Sequence, residues 1–303
     1  MSGTEGSVTR CGFVAIIGAP NAGKSTLLNS LVGQKVAIVT PKVQTTRTGL
    51  TGIATFADSQ IIFVDTPGIF RPRRRLERAM VATAWRGAED ADLVVLVIDA
   101  ARGIGGDEER IIEGLRQAGR KAIIALNKID LVQKDRLLEL AAEVDASGVA
   151  SEVFMISAMT GDGVIDLKAR LASLVPEGPW LYPADQITDV TSRVLAAEIT
   201  REKLFLRLHQ ELPYAITVET EGWEERDDGS VAISQVIHVS KASQKGIVIG
   251  KGGRTLKAIG EAARKEMEFL FERRVHLFLF VRVTEKWSES REHYLAMGLE
   301  YVE

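Results

Sequence analysis

The feature that most constrains the fold is a glycine-containing loop that lies between two apolar segments. Residues 13–17 (FVAII) precede the loop, and residues 27–32 (LLNSLV) follow it. The loop fits the pattern G-x-x-x-x-G-K-[ST], in which backbone N–H groups converge on an anion at a helix N-terminus. The order strand, loop, helix predicts a nucleotide-phosphate site that comprises Gly18, Ala19, Pro20, Asn21, Ala22, Gly23, Lys24, Ser25 and Thr26.

The residue types in and after this loop suit a phosphate–magnesium site. Lys24 is expected to reach β- and γ-phosphate oxygens, and the Ser25 hydroxyl to ligate Mg²⁺. Asp65 ends a later apolar run and is expected to hold Mg²⁺ through water. It is followed by Thr66, Pro67 and Gly68, and the Gly68 N–H is expected to contact the γ-phosphate. Thr46, in preference to Thr45, is predicted to complete the Mg²⁺ shell.

The position after Gly68 bears on the rate of hydrolysis. It is occupied by Ile69, whereas Ras-like proteins use a glutamine to orient the attacking water. Isoleucine cannot do this, so we expect slow intrinsic hydrolysis or help from another group. One candidate is a guanidinium from the arginine-rich residues 71–75, for which a solvated loop is the simpler interpretation. The other is Asn21, which could ligate a monovalent cation such as K⁺ beside the phosphates.

The sequence Asn-Lys-Ile-Asp at residues 127–130 indicates which base is bound. The Asp130 carboxylate only accepts hydrogen bonds, so it pairs with the adjacent ring N–H and amine of guanine. Adenine would leave that carboxylate unpaired. Asn127 is expected to reach the other purine edge, and the Lys128 stem to cover the ring. Ser157 and Ala158 are expected to present a backbone N–H to the guanine carbonyl, so the predicted ligands are GTP and GDP.

Alternating apolar runs and amphipathic segments predict an α/β domain. Strands are expected near residues 49–56, 60–64, 93–98, 122–126 and 153–156, and helices near 76–88, 107–118 and 164–174. The short join between the first two of these strands predicts an antiparallel hairpin. We expect a P-loop NTPase fold with a doubly wound, mostly parallel sheet. The domain is predicted to span residues 1–175, with a proline-rich linker at 176–189.

Residues 190–303 are predicted to form a second, small α+β domain with a C-terminal helix. Its expected elements are a helix at 190–210, strands at 214–220 and 230–239, a helix that ends at 249, a helix at 254–271 and a strand at 275–283. A G-x-x-G sequence joins the two later helices, and residues 229–260 contain five Lys or Arg and no acid. Such a loop can clamp single-stranded RNA. The predicted RNA-binding residues are Lys241, Lys245, Gly250, Lys251, Gly252, Gly253, Arg254 and Lys257.

Together these motifs resemble the Era family of bacterial ribosome-assembly GTPases, whose second domain is a KH domain of type II. The five GTPase motifs match at residues 18–25, 44–47, 65–68, 127–130 and 156–158, and stretches of the KH domain match at 211–214 and 243–250. Thr48 departs from the pattern, because some relatives have histidine there. The resemblance implies that the RNA is the 3′ end of small-subunit ribosomal RNA and that the protein assists maturation of the 30S subunit. It also implies peripheral association with the inner membrane, and no DNA partner is expected.

The composition bears on the cellular compartment and leaves other functions open. The net charge of −3 gives no global sign of nucleic acid binding, and Cys11 is the single cysteine, which suits a reducing cytoplasm. We expect no signal peptide and no membrane-spanning helix. Two alternatives remain from the residues alone. One is a GTPase switch that acts on a protein partner, and the other is a GTP-regulated RNA chaperone with negligible hydrolysis.

Overall fold

The chain folds into two compact units. The computed structural model describes residues 8–40, 42, 50–208, 212–285 and 299. The first unit contains the described residues 8–37 and 50–189, and the second contains 38–40, 42, 190–208, 212–285 and 299. Thr45, Thr46 and Thr48 lie outside the described residues, and so does the predicted C-terminal helix.

The first unit is built on a six-stranded sheet with helices between its strands. Its elements are β1 (Arg10–Ile17), α1 (Lys24–Val32), β2 (Leu50–Phe56), β3 (Ser59–Asp65), α2 (Arg75–Asp90), β4 (Leu93–Asp99), α3 (Gly106–Gln117), β5 (Ala122–Asn127), α4 (Lys134–Ala146), β6 (Ala150–Met155) and α5 (Val164–Leu174). The strand order is β2-β3-β1-β4-β5-β6. The predicted P-loop α/β fold is confirmed.

Strand direction explains where the functional loops meet. The strands β3, β1, β4, β5 and β6 run parallel, and β2 pairs antiparallel with β3, as the hairpin prediction required. The central strands are apolar and buried on both faces, which is typical of parallel strands covered by helices. Because carboxyl ends of parallel strands lie at one edge, the loops after β1, β3, β4 and β5 converge there.

The residues predicted as a linker, 176–189, lie within the first unit. Gln60 is fully buried and binds this stretch through its side-chain amide. Its Oε1 accepts the N–H groups of Leu181 at 2.9 Å and Tyr182 at 3.0 Å, and its Nε2 donates to the Tyr182 carbonyl at 2.8 Å. These bonds satisfy the buried amide of Gln60 and hold the stretch against β3.

The second unit is a helix-covered, three-stranded sheet. Its elements are α6 (Ser192–Arg207), β7 (Ile216–Glu225), β8 (Val231–Val239), α7 (Ala242–Ile249), α8 (Arg254–Leu270) and β9 (Val275–Val283). The strand order is β7-β8-β9, with β7 antiparallel and β9 parallel to β8. This order of elements agrees with the predicted α+β unit. Buried residues of α6, α8 and β8 share its apolar core.

Two boundaries in the second unit differ from the sequence prediction. The helix expected at 190–210 is shorter at both ends, because Thr191 before it and Leu208 after it are extended. The strand expected at 214–220 continues to Glu225 as β7. A shift of register between Thr220 and Gly222 inserts one extra residue, after which β7 stays paired with β8. The bulge interrupts the alternation of side chains, and the second half of β7 is mostly polar, so the sequence pattern does not reveal it.

Residues 38–40 and 42 group with the second unit, although they follow α1 in the sequence by only a few residues. The Val39 N–H donates to Glu202 Oε1 at 2.9 Å. The Lys42 ammonium donates to the carbonyls of Phe205 and Leu208 at the end of α6. Cations are favourable at helix C-termini because the terminal carbonyls lack intrahelical partners.

Candidate functional site

The glycine loop lies between the end of β1 and the first residue of α1, Lys24. Gly23 has φ 100°, and a β-carbon there would lie 2.2 Å from Asn127 Nδ2. A β-carbon on Gly18 would lie 2.4 Å from the Val97 carbonyl oxygen. Because both distances are far below van der Waals contact, only glycine lets the loop pass this close to β4 and to the end of β5.

Lys24 is held against the loop rather than in solvent. Its side chain is buried, and its ammonium donates to the carbonyls of Gly18 at 3.0 Å and Ala19 at 2.9 Å. Burial lowers the pKa of Lys24 to about 8, while the carboxylates of Asp65 and Glu108 act in the opposite direction. The side chain is therefore mostly protonated at neutral pH. A buried ammonium at this position suits a phosphate ligand.

Ser25 and Asp65 meet beside the loop. The Ser25 hydroxyl donates to Asp65 Oδ2 at 3.0 Å, and Asp65 is fully buried at the end of β3. The next residue, Thr66, donates from its hydroxyl to the Ile16 carbonyl at 2.8 Å and so fixes this turn to β1. A hydroxyl and a carboxylate are the oxygen donors that Mg²⁺ prefers, so the pair fits the predicted metal role. In the described part of the chain, no cluster of three or more His, Cys, Asp or Glu could hold a metal.

The turn at Gly68 is tied to the glycine loop through the backbone. The Ile69 N–H donates to the Gly18 carbonyl at 3.1 Å. A β-carbon on Gly68 would lie 3.1 Å from the Pro20 nitrogen, so the two loops touch here. The Ile69 side chain is buried in the core of the sheet, where it packs with Ile17 and its neighbours. The buried Ile69 side chain is apolar and offers no hydrogen-bonding group to a water molecule.

The arginine-rich stretch leads into a helix. Arg75 is the first residue of α2, and Glu77 accepts the N–H groups of Arg73 at 2.7 Å and Arg74 at 3.1 Å. These bonds satisfy backbone donors at the helix start. Glu77 therefore caps the N-terminus of α2 and fixes the backbone of the arginine-rich stretch before it.

Asn127 joins two loops, a role that sequence analysis missed. Its side chain is buried at the end of β5, and its Nδ2 donates to the Ala22 carbonyl at 2.9 Å. Its Oδ1 accepts the Ala158 N–H, also at 2.9 Å. The side chain thus fixes the glycine loop to the segment containing Ser157, which is fully buried. The sequence had assigned Asn127 to the purine edge, and nothing local in the sequence indicates the bracing.

Lys128 is positioned by a carboxylate that sequence analysis also missed. Its ammonium lies 2.6 Å from Asp99 Oδ2 and donates to the Asn21 carbonyl at 2.8 Å. Asp99 is buried at the end of β4, and its other oxygen accepts the Ala101 N–H at 3.0 Å. An acid directly after a buried parallel strand was the available signal. Asp130 is exposed in the 3₁₀ turn that follows Lys128, where its carboxylate can meet a ligand.

The second candidate site is the loop Gly250–Gly253 between α7 and α8. Gly250 has φ 73° and ψ 173°, and a β-carbon there would lie 2.1 Å from Thr255 Oγ1. Gly252 and Gly253 also have positive φ, but a β-carbon on either would meet no atom within 4 Å. Lys251 and Gly252 are exposed. The loop therefore presents a cation and an uncovered backbone, which suits close approach of a phosphate chain.

The predicted basic residues do not all lie at this loop. Lys251 is in it, Arg254 is the first residue of α8 and donates to the Lys251 carbonyl at 3.2 Å, and Lys257 is one turn further along. Lys241 lies at the opposite end of α7, about 12 Å away along the helix axis. Lys245 lies midway and is only partly exposed. The loop and the start of α8 thus form the basic centre.

Comparison with known proteins identifies the family. A family model described as a 50S ribosome-binding GTPase matches residues 13–128, and a KH domain model matches residues 211–288. The chain is 60% identical over 293 residues to GTPase Era of Rhizobium meliloti, covering 97% of this chain and 94% of the relative. The chain belongs to the Era family of GTPases. GTPase Era of Caulobacter vibrioides is 56% identical and covers 97% of this chain and 98% of the relative.

Solved structures of Era share the fold. A crystal structure of Era in complex with MgGDPNP and nucleotides 1506–1542 of 16S ribosomal RNA has a TM-score of 0.91 and 37% identity. It covers 96% of this chain and 99% of that chain. An Aquifex aeolicus Era variant bound to GDP·AlF₄⁻ gives the same values. The chain is therefore a GTPase of the Era family, with a P-loop GTPase domain followed by a KH domain. Over the described residues, no helix is long and apolar enough to span a bilayer.

Proposed function

We propose that the first unit binds GTP with Mg²⁺ and hydrolyses it, and that the second binds the 3′ end of small-subunit ribosomal RNA during assembly of the 30S subunit. The exposed Gly250–Gly253 loop carries the RNA part of this proposal, because it offers Lys251 and open backbone to a phosphate chain. The likeness to an Era structure that contains 16S ribosomal RNA supports the choice of RNA.

The side chains of the first unit suit distinct tasks in this reaction. Lys24 supplies positive charge to the β- and γ-phosphates from a buried position. Backbone N–H groups of the glycine loop and of Gly68 contribute further donors where charge develops. Ser25, Asp65 and Thr46 are the residues we assign to Mg²⁺, which neutralises phosphate charge when bound. The MgGDPNP complex of the related Era supports the choice of metal.

The guanine contacts follow from the loops after β5 and β6. Asp130 is exposed and accepts from the ring N–H and amine of guanine. Lys128 covers the ring with its stem, while Asp99 and the Asn21 carbonyl hold its ammonium. We assign Ser157 and Ala158 to the guanine carbonyl, and Asn127 fixes their loop to the glycine loop. This arrangement makes Asn127 a positioning residue as much as a base contact.

The RNA assignment is tested by changing charge at the loop. Replacing Lys251 and Gly252 together by Asp places negative charge where the RNA backbone passes, so binding of a single-stranded 3′-end oligonucleotide should collapse. Lys251→Asp alone should weaken binding strongly, whereas Lys265→Asp, an equal charge change on the exposed far part of α8, should have little effect. Fluorescence anisotropy gives the affinities, and GDP binding reports that the first unit is intact.

The salt dependence of RNA affinity gives an independent test of the contact between Lys251 and the RNA backbone. Lys251→Ala should flatten the log–log slope of affinity against salt by about 0.7, the value for one contact to a single strand. Wild-type affinity for RNA in the double Asp variant would refute RNA binding by the Gly250–Gly253 loop. It would favour a second unit that binds a protein partner instead.

We further propose that Asn21 helps to hold K⁺ beside the phosphates. Asn21 has φ 64° and lies in the glycine loop, and its carbonyl already accepts the Lys128 ammonium. With Ile69 buried, a cation here would supply charge that no glutamine provides. GTP turnover should then be faster in potassium than in sodium at equal ionic strength, and Asn21→Ala should remove the difference without abolishing GDP binding. Equal turnover in both salts would shift attention to the arginines at 71–75.

We also propose a cytoplasmic location with peripheral association at the inner membrane, on the strength of the family resemblance. Co-sedimentation of the full chain with vesicles of anionic lipid tests the association. Recovery of all the protein in the supernatant at low salt would contradict it.

A further inference from the structure

The Lys128 side chain links the base-binding motif to the glycine loop. Its ammonium donates to the Asn21 carbonyl at 2.8 Å, and both residues have left-handed backbone conformations, with φ 68° for Lys128 and 64° for Asn21. Residues other than glycine rarely adopt this conformation, so both segments are sharply bent where they meet. A change at the Lys128 ammonium therefore reaches the glycine loop as well as the base.

The Asp99 carboxylate has two cationic neighbours, which differ in distance and exposure. Its Oδ2 lies 2.6 Å from Lys128 Nζ and 3.7 Å from Arg102 Nε. The Lys128 side chain is 30% exposed, whereas that of Arg102 is 64% exposed. A close and partly buried pair keeps more of its attraction than a distant, solvated pair, because water screens exposed charges. Asp99 therefore acts mainly on Lys128.

The position of the Asp99 carboxylate is fixed by the end of β4. Asp99 pairs in register with Asn127 of β5, and its side chain is 5% exposed. Its Oδ1 accepts the Ala101 N–H at 3.0 Å, and its carbonyl accepts the Gly103 N–H at 2.9 Å. Because each carboxylate oxygen has its own partner, the group holds the Lys128 ammonium in one place.

Without this carboxylate, the Lys128 ammonium has two other environments open to it. The lysine stem is flexible and its ammonium is strongly hydrated, so it gains from moving into solvent. Asp130, two residues further along the chain, is an exposed carboxylate. An ion pair between Lys128 and Asp130 would compete with guanine for the acceptor that reads the base. Holding Lys128 at Asn21 therefore also keeps Asp130 open.

We propose that Asp99 is a positioning residue for guanine-nucleotide binding, and that it acts through Lys128 on the base and the glycine loop together. Its charge keeps the Lys128 ammonium at the Asn21 carbonyl, so that the stem lies over the base and Asp130 accepts from guanine. Asp99 lies outside all five motif segments of the sequence. The inference rests on the guanine site proposed above and extends it to a buried acid behind that site.

An isosteric substitution tests the charge. In Asp99→Asn the amide oxygen keeps the bond from the Ala101 N–H, but an NH₂ group replaces the oxygen that faces Lys128. The affinity of the full chain for fluorescent GDP should fall about tenfold or more, the factor for one charge-assisted hydrogen bond. In GTP hydrolysis, KM should rise while kcat changes little, because ground-state and transition-state binding weaken alike.

Two further variants separate charge from shape. Asp99→Glu restores the carboxylate, and the flexible Lys128 stem can follow it, so most of the GDP affinity should return. Arg102→Gln removes the other cation beside Asp99 and is the control, which should change neither GDP affinity nor KM. Wild-type GDP affinity in Asp99→Asn would overturn the proposal. Equal losses in Asp99→Asn and Asp99→Glu would overturn it too, since shape rather than charge would then matter.

A double-mutant cycle shows whether Asp99 acts through Lys128. Lys128→Met keeps an apolar stem and removes the ammonium, so Asp99→Asn should weaken GDP binding little further in that background. A further loss there as large as in the wild-type background would contradict the proposal. Failure of the guanine site itself appears separately, as an unchanged preference for GTP over XTP in Asp130→Asn.

Discussion

Gly250 and Gly252, in the loop Gly250–Gly253 between α7 and α8, provide a matched test of local geometry. Gly250 has φ 73° and ψ 173°, a combination that is essentially restricted to glycine, and side chains forced into it cost about 1–3 kcal/mol. In Gly250→Ala the new β-carbon also lies 2.1 Å from Thr255 Oγ1 and 3.1 Å from the Thr255 nitrogen. The threonine hydroxyl can rotate, but the backbone nitrogen at the start of α8 cannot.

Alanine at Gly252 would meet the backbone penalty but no steric clash. Gly252 has φ 61° and ψ 29°, the ordinary left-handed region, where alanine costs about 1–2 kcal/mol. No atom lies within 4 Å of its β-carbon position. We therefore expect Gly250→Ala to destabilise the second unit by about 3 kcal/mol or more, and Gly252→Ala by about 1 kcal/mol.

Differential scanning calorimetry measures the difference. GDP stabilises the first unit by mass action, so the transition that does not move with GDP reports on the second unit. At about 4 °C per kcal/mol for a domain of this size, Gly250→Ala should lower that transition by about 12 °C and Gly252→Ala by about 4 °C. Equal shifts for the two variants, or a Gly250→Ala transition within about 2 °C of wild type, would refute the steric argument.

Three further predictions concern the first unit. Lys24→Ala should abolish tight binding of GDP and GTP without unfolding the chain, because it removes a buried ammonium; a fluorescent-GDP titration with wild-type affinity would contradict this. Asp130→Asn should shift preference from GTP to XTP, since the amide supplies both a donor and an acceptor; competition between the two nucleotides decides it. Asn127→Ala leaves the Ala22 carbonyl and the Ala158 N–H without their side-chain partner, so denaturant unfolding should show a loss of about 2 kcal/mol or more. An unchanged midpoint would mean that neither bond stabilises the unit.

Much of the fold was predictable because its signals are local. The buried runs that became β4 and β5 are apolar on both faces, so the sequence indicates parallel central strands directly. The glycine loop, the Asp65 turn and the Asn-Lys-Ile-Asp motif each follow such a strand. Their convergence at one sheet edge follows from topology alone, so the sequence is sufficient to predict that these motifs lie together.

The second half of β7 and the position of residues 176–189 were not predictable in this way. β7 continues through a bulge whose polar residues break the strand pattern, and only pairing with β8 reveals it. Residues 176–189 have the composition of a linker, yet the buried amide of Gln60 holds part of them against the first unit. In both cases the segment is held by a partner that is distant in sequence, β8 for the second half of β7 and Gln60 for residues 176–189.

The sequence by itself determined the chemistry of this protein: a phosphate loop, a guanine-specific motif and a G-x-x-G loop in a basic stretch. Those motifs depend on residue type and short spacing, which a chain carries before it folds. Only the tertiary structure decided that Asn127 braces two loops and that Asp99 holds Lys128. Such contacts join residues from separate strands and helices, and they exist only once hydrophobic burial has brought those elements together.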